Sequence, residues 1–280
     1  MGFVTERDGA AGDYEALQLP PARGQRGRRG LVMLRRRSPR TSRRAVLYPH
    51  CLADSFVPED LATWYTERGF DFYVADLRPQ ARLGHPGSGP RAAPGLGECF
   101  AALDAISGYL RETEAIDTVV LSAHAAGALI AALWCDARRT AGPADALILA
   151  SPAFRPGGRP SGLLAGAQRE IRLAGAQRET RLAGAQRELR RGLDIGCPVL
   201  VMSTAADGDG PPAGHRRQRI WRRGGDHGTI RLGPHVTWLC LEPGVTGPLP
   251  PGGAGGGPFF RELGRWLGAY LAGQFRDQLL

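Results

Sequence analysis

The sequence predicts an α/β protein, a mostly parallel sheet flanked by helices. Short apolar runs rich in Val, Leu and Ile alternate with segments whose apolar residues recur every three or four positions. Val119 to Ile130 joins a β-branched run, a break of small residues (Ala123, Ala125, Gly127) and an apolar run, the outline of a strand, a sharp turn and a buried helix. Phe259 to Phe275 carries the strongest helical pattern, with Phe260, Leu263, Trp266, Leu267, Tyr270 and Leu271 on one face.

In chain order, Tyr14 to Leu19 alternates weakly and reads as a first strand. After a Pro/Gly/Arg loop, Gly30 to Leu34 resumes a strand that runs into Arg35-Arg36-Arg37, and the two form an antiparallel edge ribbon. Ala45 to Tyr48 is the first strongly buried strand, ending at Pro49-His50-Cys51. Glu59 to Arg68 is an amphipathic helix with Leu61, Trp64 and Tyr65 on one face, closed by Gly69. Phe70 to Asp76 is a strand, and Arg78 to Pro94 a loop. Phe100 to Leu110 is helical, Thr118 to Leu121 a strand, Ala126 to Asp136 its helix, and Ala146 to Ala150 a further buried strand. Pro198 to Ser203 and Val236 to Leu241 complete the sheet, separated by a polar Gly/Arg loop from Ala205 to Arg223. Strands alternating with helices imply βαβ units and parallel pairing.

Leu164 to Arg172, Leu173 to Arg181 and Leu182 to Arg190 each read Leu-Ala-Gly-Ala-Gln-Arg-Glu-x-Arg. The composition favours helix. Nine residues at about 100° each turn the pattern by about 900°, half a turn net, so successive leucines face opposite sides. No continuous face is rebuilt, as a solenoid requires. A short in-frame duplication forming an exposed, glycine-weakened helix is the expectation.

At 280 residues the chain can bury one substantial core or two small ones. No apolar run reaches the length of a membrane span. Met1 to Gly12 is polar, so a cytoplasmic location is expected. The five cysteines (Cys51, Cys99, Cys135, Cys197, Cys240) are scattered without metal spacing, which fits reduced, mostly buried thiols. All 36 basic residues are arginine, which removes lysine nucleophile and Schiff-base chemistry. The formal charge of +9 fits coding bias in a GC-rich gene. The Arg runs lack interleaved aromatics apart from Trp221 and read as solvated basic faces, so no specific nucleic-acid partner is expected.

The turn after Val119 to Leu121 matters chemically. In G-x-S-x-G a serine stands at the apex of such a turn, and here that place falls to Ala125. Together with the order of elements, this stretch resembles the α/β-hydrolase superfamily, and most closely serine aminopeptidase-like and lysophospholipase-like hydrolases of actinobacteria. The resemblance runs from about Tyr14 to Leu271 with a gap in the middle. It is most specific at Ala45 to Phe56, Trp64 to Arg78 and Val119 to Trp134, and also in the late strand entry (Arg191 to Val201) and the terminal helix (Glu262 to Leu271).

The resemblance implies a single domain over residues 1–280, with residues 155–193 as a reduced helical cap containing the repeats. It also implies a degenerate triad. The family elbow Gly-His-Ser-x-Gly-Gly is matched by Ala123-His124-Ala125-Ala126-Gly127-Ala128, so Ala125 takes the nucleophile position. Ala205 takes the acid position, with Asp207 or Asp209 as shifted alternatives, and Thr246 takes the histidine position. His50, Cys51, Leu52 and Ala126 fall in the oxyanion region, with Cys51 replacing a glycine.

Four other residues bear on a substitute catalytic group: Ser122, Cys51, His50 and His227. Ser122 lies three residues before the apex and belongs to the strand. Cys51 beside His50 is a thiol that a histidine could activate. His227 follows Asp226 but precedes the last strand, whereas the family histidine follows it. The six histidines show no metal spacing and no Gly-rich phosphate loop follows a strand, so neither metal nor cofactor is expected. The expected function is therefore a hydrolase-fold protein without serine-hydrolase turnover, holding a small apolar or ester-like ligand or a partner in the old cleft. The alternatives are an enzyme using a displaced catalytic group and, less favoured, a basic nucleic-acid-binding protein.

Overall fold

The computed structural model describes residues 13–19, 30–50, 59–77, 95–152, 192–204, 220–221, 236–241 and 257–273. The chain divides into two compact units, Met1–Ser122 and Ala123–Leu280.

The first unit holds β1 (Glu15–Leu19), β2 (Leu31–Arg36), β3 (Arg44–His50), α1 (Glu59–Thr66), β4 (Asp71–Asp76) and α2 (Leu96–Gly108). It also holds the greater part of β5 (Thr118–His124). The strands lie in the order β1-β2-β4-β3-β5. β1 pairs antiparallel with β2, and β2 with β4, forming the edge ribbon expected from sequence. β3 pairs parallel with β4 on one side and β5 on the other. Every residue of β4 is buried, as is Ala45-Val46-Leu47 of β3, which is how an interior parallel strand covered on both faces reads. α1 buries Leu61, Trp64 and Tyr65 as its periodicity requires, and the Tyr65 ring packs 5.9 Å from those of Phe70 and Phe72. Glu59 and Asp60 in its first turn suit the positive end of the helix dipole. Gly69 (φ 82) turns the chain out of α1 into β4.

Several boundaries differ from the sequence expectation. β3 continues through Pro49 to His50. The β3–β5 ladder ends at Leu47↔Leu121, so the missing N–H of Pro49 removes no bond from it. α2 begins at Leu96 because the Glu98 carboxylate accepts the Gly95 N–H at 3.0 Å. It then widens into a π-helical turn, Tyr109–Thr113, closed by the Glu114 N–H donating to the Tyr109 carbonyl.

The basic run on β2 is not the solvated face its composition implies. Arg35 is only 6% exposed. Its Nε and Nη2 donate to Glu15 Oε2 at 3.1 and 2.5 Å, across the register pair Glu15↔Arg35. Its Nη1 donates to Glu114 Oε1 at 2.6 Å, and the Tyr109 hydroxyl donates to the same oxygen at 2.5 Å. Arg37 reaches both Asp71 and Glu114. Burial pushes the Asp71 carboxyl above the usual carboxylate range, and the Ser38 N–H and Arg37 partly offset this.

The second unit holds the end of β5, α3 (Ala125–Ala137), β6 (Ala146–Ala150), β7 (Val199–Thr204), β8 (Ile220–Trp221), β9 (Val236–Leu241) and α4 (Pro258–Leu271). β6, β7 and β9 are parallel in that order, and β8 adds an antiparallel edge. β6 and β9 keep the bounds read from sequence, whereas β8 falls inside the stretch expected to be loop. α4 buries Phe259, Phe260, Leu263, Trp266 and Leu267. Its expected apolar face is shorter than the pattern. Leu271 is exposed in the last turn, and Tyr270 stacks on Trp266 at 6.1 Å. The buried Trp266 Nε1–H donates to Thr237 Oγ1 of β9 at 3.1 Å. Both units thus carry parallel strands with helices packed on them and antiparallel strands at the edge, the expected architecture.

Three variants test these contacts by their stability. Arg35→Ala leaves the partly buried Glu114 carboxylate with only the longer contact to Arg37, and a loss of up to about 3–5 kcal/mol is expected in urea denaturation. Arg43→Ala, which breaks an exposed pair with Asp117, should cost no more than about 1 kcal/mol. Thr237→Val keeps the side-chain shape but strands the buried indole N–H. It should cost about 1–3 kcal/mol, and a change below about 0.5 kcal/mol would show that the hydrogen bond contributes little.

Candidate functional site

β5 enters the second unit with Ala123 buried and His124 still extended (φ −125, ψ 146). The next residue, Ala125, has φ 49, and α3 follows at once. A single left-handed residue therefore converts strand into helix. Such a turn tolerates little bulk, and the residues around it are Ala123, Ala126, Gly127 and Ala128. A Cβ in the left-handed region costs about 1–2 kcal/mol. The residue that the sequence resemblance places at the nucleophile position is thus the one holding the strained turn, and its side chain is a buried methyl. A methyl offers no lone pair to attack a carbonyl.

Ala126 is the second residue of α3. Backbone N–H groups there have no carbonyl four residues back within the helix, so they point toward any acceptor at the turn. The side chain of His124 is partly exposed, engages a neighbour and makes no cap to α3. In the first unit, His50 ends β3 in register with Asp76 of β4, and the Leu77 N–H donates to the His50 carbonyl at 2.8 Å. Asp76 is buried and engaged, a neighbour of His50 that the sequence alone did not single out.

Ser122 is buried within β5, and its hydroxyl lies against the fully buried Tyr65 hydroxyl, whose ionisation burial pushes far up and Ser122 partly offsets. It is strand packing, as expected. Cys51, Leu52, Ala205, Asp207, Asp209, His227 and Thr246 lie outside the described residues, as do the repeats and most of residues 155–193. Cys99, Cys135 and Cys197 are free and buried. Burial, with Glu98 beside it, pushes the Cys99 thiol up to about 12, so little of it is the reactive thiolate at neutral pH. Among the described residues no group of three His, Cys, Asp or Glu could hold a metal ion.

A second strained turn was missed in the sequence. Ser151, directly after β6, has φ 42, and its N–H donates to the Met202 carbonyl of β7 at 2.7 Å. The only sequence signal is the following Pro152, which restricts the residue before it. Ala125 and Ser151 therefore both mark the C-terminal ends of strands, the edge where open α/β sheets place their ligands.

Strand order, mostly parallel pairing and a left-handed residue between β5 and α3 define the α/β-hydrolase fold, and the chain has that fold. Residues 41–179 match the family described as serine aminopeptidase, S33. Among solved structures, the monoacylglycerol lipase of Paleococcus ferrophilus superposes with a TM-score of 0.51 at 18% identity, covering 85% of this chain and 98% of the lipase. Est1E of Butyrivibrio proteoclasticus with bound ferulic acid superposes with a TM-score of 0.52 at 13% identity, covering 88% of this chain and 96% of Est1E. No curated protein sequence matches the chain significantly.

The strain at Ala125 is open to measurement. Ala125→Gly removes a buried methyl but relieves the left-handed Cβ. Ala128→Gly, a fully buried position within α3, loses a methyl with no relief and adds the helix penalty of glycine. In chemical denaturation Ala125→Gly should be at least about 1 kcal/mol milder than Ala128→Gly. Equal losses would mean that the turn stores no strain.

Proposed function

We propose that this chain is a hydrolase-fold protein without serine-hydrolase turnover, which holds a small apolar or ester-like ligand at the C-terminal end of β5. The observation that carries this reading is Ala125 at φ 49. The turn that in this fold presents a nucleophile is intact as backbone, and the side chain at its apex is chemically inert. On the sequence resemblance, Ala205 and Thr246 stand where an acid and a histidine would be needed, so neither a general base nor its orienting partner is supplied there. The N–H of Ala126 at the start of α3 remains suited to an ester or carboxylate oxygen. The Est1E structure with ferulic acid bound and the monoacylglycerol lipase structure support an ester-like or apolar ligand as the chemistry to test first. The free, buried thiols support a reducing compartment such as the cytoplasm, and no described helix is long and apolar enough to cross a membrane. No cofactor or metal enters the reading.

A fluorophosphonate probe, with peptide mapping beside an active serine hydrolase as control, tests the loss of turnover. No labelling of the native protein is expected. Stoichiometric, heat-sensitive labelling at one serine would overturn the reading and identify a displaced nucleophile. The binding half is tested with p-nitrophenyl butyrate. Excess ester should raise the unfolding temperature without releasing nitrophenolate. At about 100 times the dissociation constant the stabilisation reaches about 2.7 kcal/mol. Release of nitrophenolate above the buffer rate would contradict the proposal.

A further inference from the structure

α3 carries the strained turn at its start and a thiol near its end. Cys135 is 2% exposed, and Cys197, two residues before β7, is 8% exposed. They are 62 residues apart in sequence and neither belongs to the candidate site. In the structure the Cys135 and Cys197 side chains interact, and both thiols are free. The segment that carries Cys197 is fastened around this contact. The Asp194 N–H donates to Asp136 Oδ1 at 2.6 Å, and the Arg139 guanidinium pairs with the Asp194 carboxylate. On the other side the Leu147 N–H of β6 donates to the Pro198 carbonyl at 2.9 Å. Residues 194–198 are therefore held between the last turn of α3 and the start of β6, which brings Cys197 beside Cys135.

We propose that Cys135 and Cys197 are a reversible redox pair, oxidised by a low-molecular-weight disulfide such as glutathione disulfide, whose bond ties the far end of α3 to the entry of β7. The inference goes beyond the proposed function and does not depend on it. In the first step the Cys197 thiol, the more exposed of the two, loses its proton. Its sulfur attacks one sulfur of glutathione disulfide and expels a glutathione thiolate. In the second step Cys135 loses its proton and attacks the Cys197 sulfur of the mixed disulfide, expelling the second thiolate. Two protein thiols and one glutathione disulfide become one protein disulfide and two glutathiones, so atoms and electrons balance.

Burial and hydrogen bonding hold Cys135 in its thiol form. The second step therefore runs when the 192–198 segment opens, and the first is limited by access to Cys197. Closure forms an S–S bond of about 2 Å. The bond closes a long loop of the unfolded chain, which is where a disulfide stabilises most in the chain-entropy description.

The test uses the full chain with its natural cysteines. The reduced protein is incubated with glutathione disulfide at pH 8, alkylated and mapped by peptide mass spectrometry, and its unfolding temperature is followed before and after dithiothreitol. A Cys135–Cys197 linked peptide is expected, with an unfolding temperature about 5 °C or more above that of the reduced protein, reversed by dithiothreitol. Cys197→Ala should lose the linked peptide and the reversible shift. If that variant does not fold, mapping of the natural protein still decides. The proposal is overturned if full oxidation yields only glutathionylated cysteines or other pairings. It is also overturned if the linked form melts at or below the temperature of the reduced one.

Discussion

The turn at Ala125 is the constraint on which the second unit is built. Only a left-handed residue lets β5 end and α3 begin without an intervening loop, and Ala125 supplies it with φ 49. The price is about 1–2 kcal/mol of local strain. α3 offsets it by being buried on nearly every side, with Ala128, Leu129, Ala131, Ala132, Leu133, Trp134 and Cys135 all in the core. A fully buried Leu contributes about 1.5–3 kcal/mol, so Leu129 and Leu133 together outweigh the strain. The turn is therefore held by packing. It keeps its shape whether or not a nucleophile stands on it.

The two units secure themselves differently. The antiparallel side of the first unit depends on a partly buried charge cluster in which Arg35 answers Glu15 and Glu114, with Arg37 and Asp71 close by. Such a cluster is intolerant of losing one member because the remaining charge keeps its desolvation cost. The second unit relies on apolar strands and a few neutral polar contacts, Trp266 to Thr237 and Cys135 to Cys197. Neutral contacts of this kind contribute modestly but fix which faces meet.

What the sequence made legible is what periodicity encodes. Runs of β-branched and leucine residues gave β6 and β9 at their observed bounds, and the spacing of Leu61, Trp64 and Tyr65 gave the buried face of α1. The elbow was legible because a strand, a set of small residues and an apolar helix are adjacent in the chain. Contacts between distant positions were not legible. Arg35 sits in a run of arginines, and its burial depends on Glu114, 79 positions away. The start of α2 depends on a single Glu98 carboxylate, and the edge strand Ile220–Trp221 exists only as a partner to β9. The cysteines show no spacing in sequence because their meeting is set by where α3 ends and β7 begins. The site was legible only in part for the same reason. The apex is a local feature, whereas the identity of an acid and a histidine depends on loops far along the chain.

An inert apex also bears on what the site can do with the donors it retains. A backbone N–H at the start of α3 stabilises a carbonyl oxygen in the ground state as well as one developing negative charge. Without a group that attacks the carbonyl, no developing charge forms, and the interaction is expressed as affinity alone. Restoring a hydroxyl at position 125 would not by itself change this. A serine at its ordinary pKa is a poor nucleophile until a base accepts its proton and a third group orients that base. On the sequence resemblance those positions are held by Thr246, which cannot act as the base, and by Ala205, with Asp207 or Asp209 as shifted alternatives for the acid. Under the proposed function the donors at the turn then serve binding, and the strained turn is the part of a catalytic apparatus that packing alone suffices to maintain.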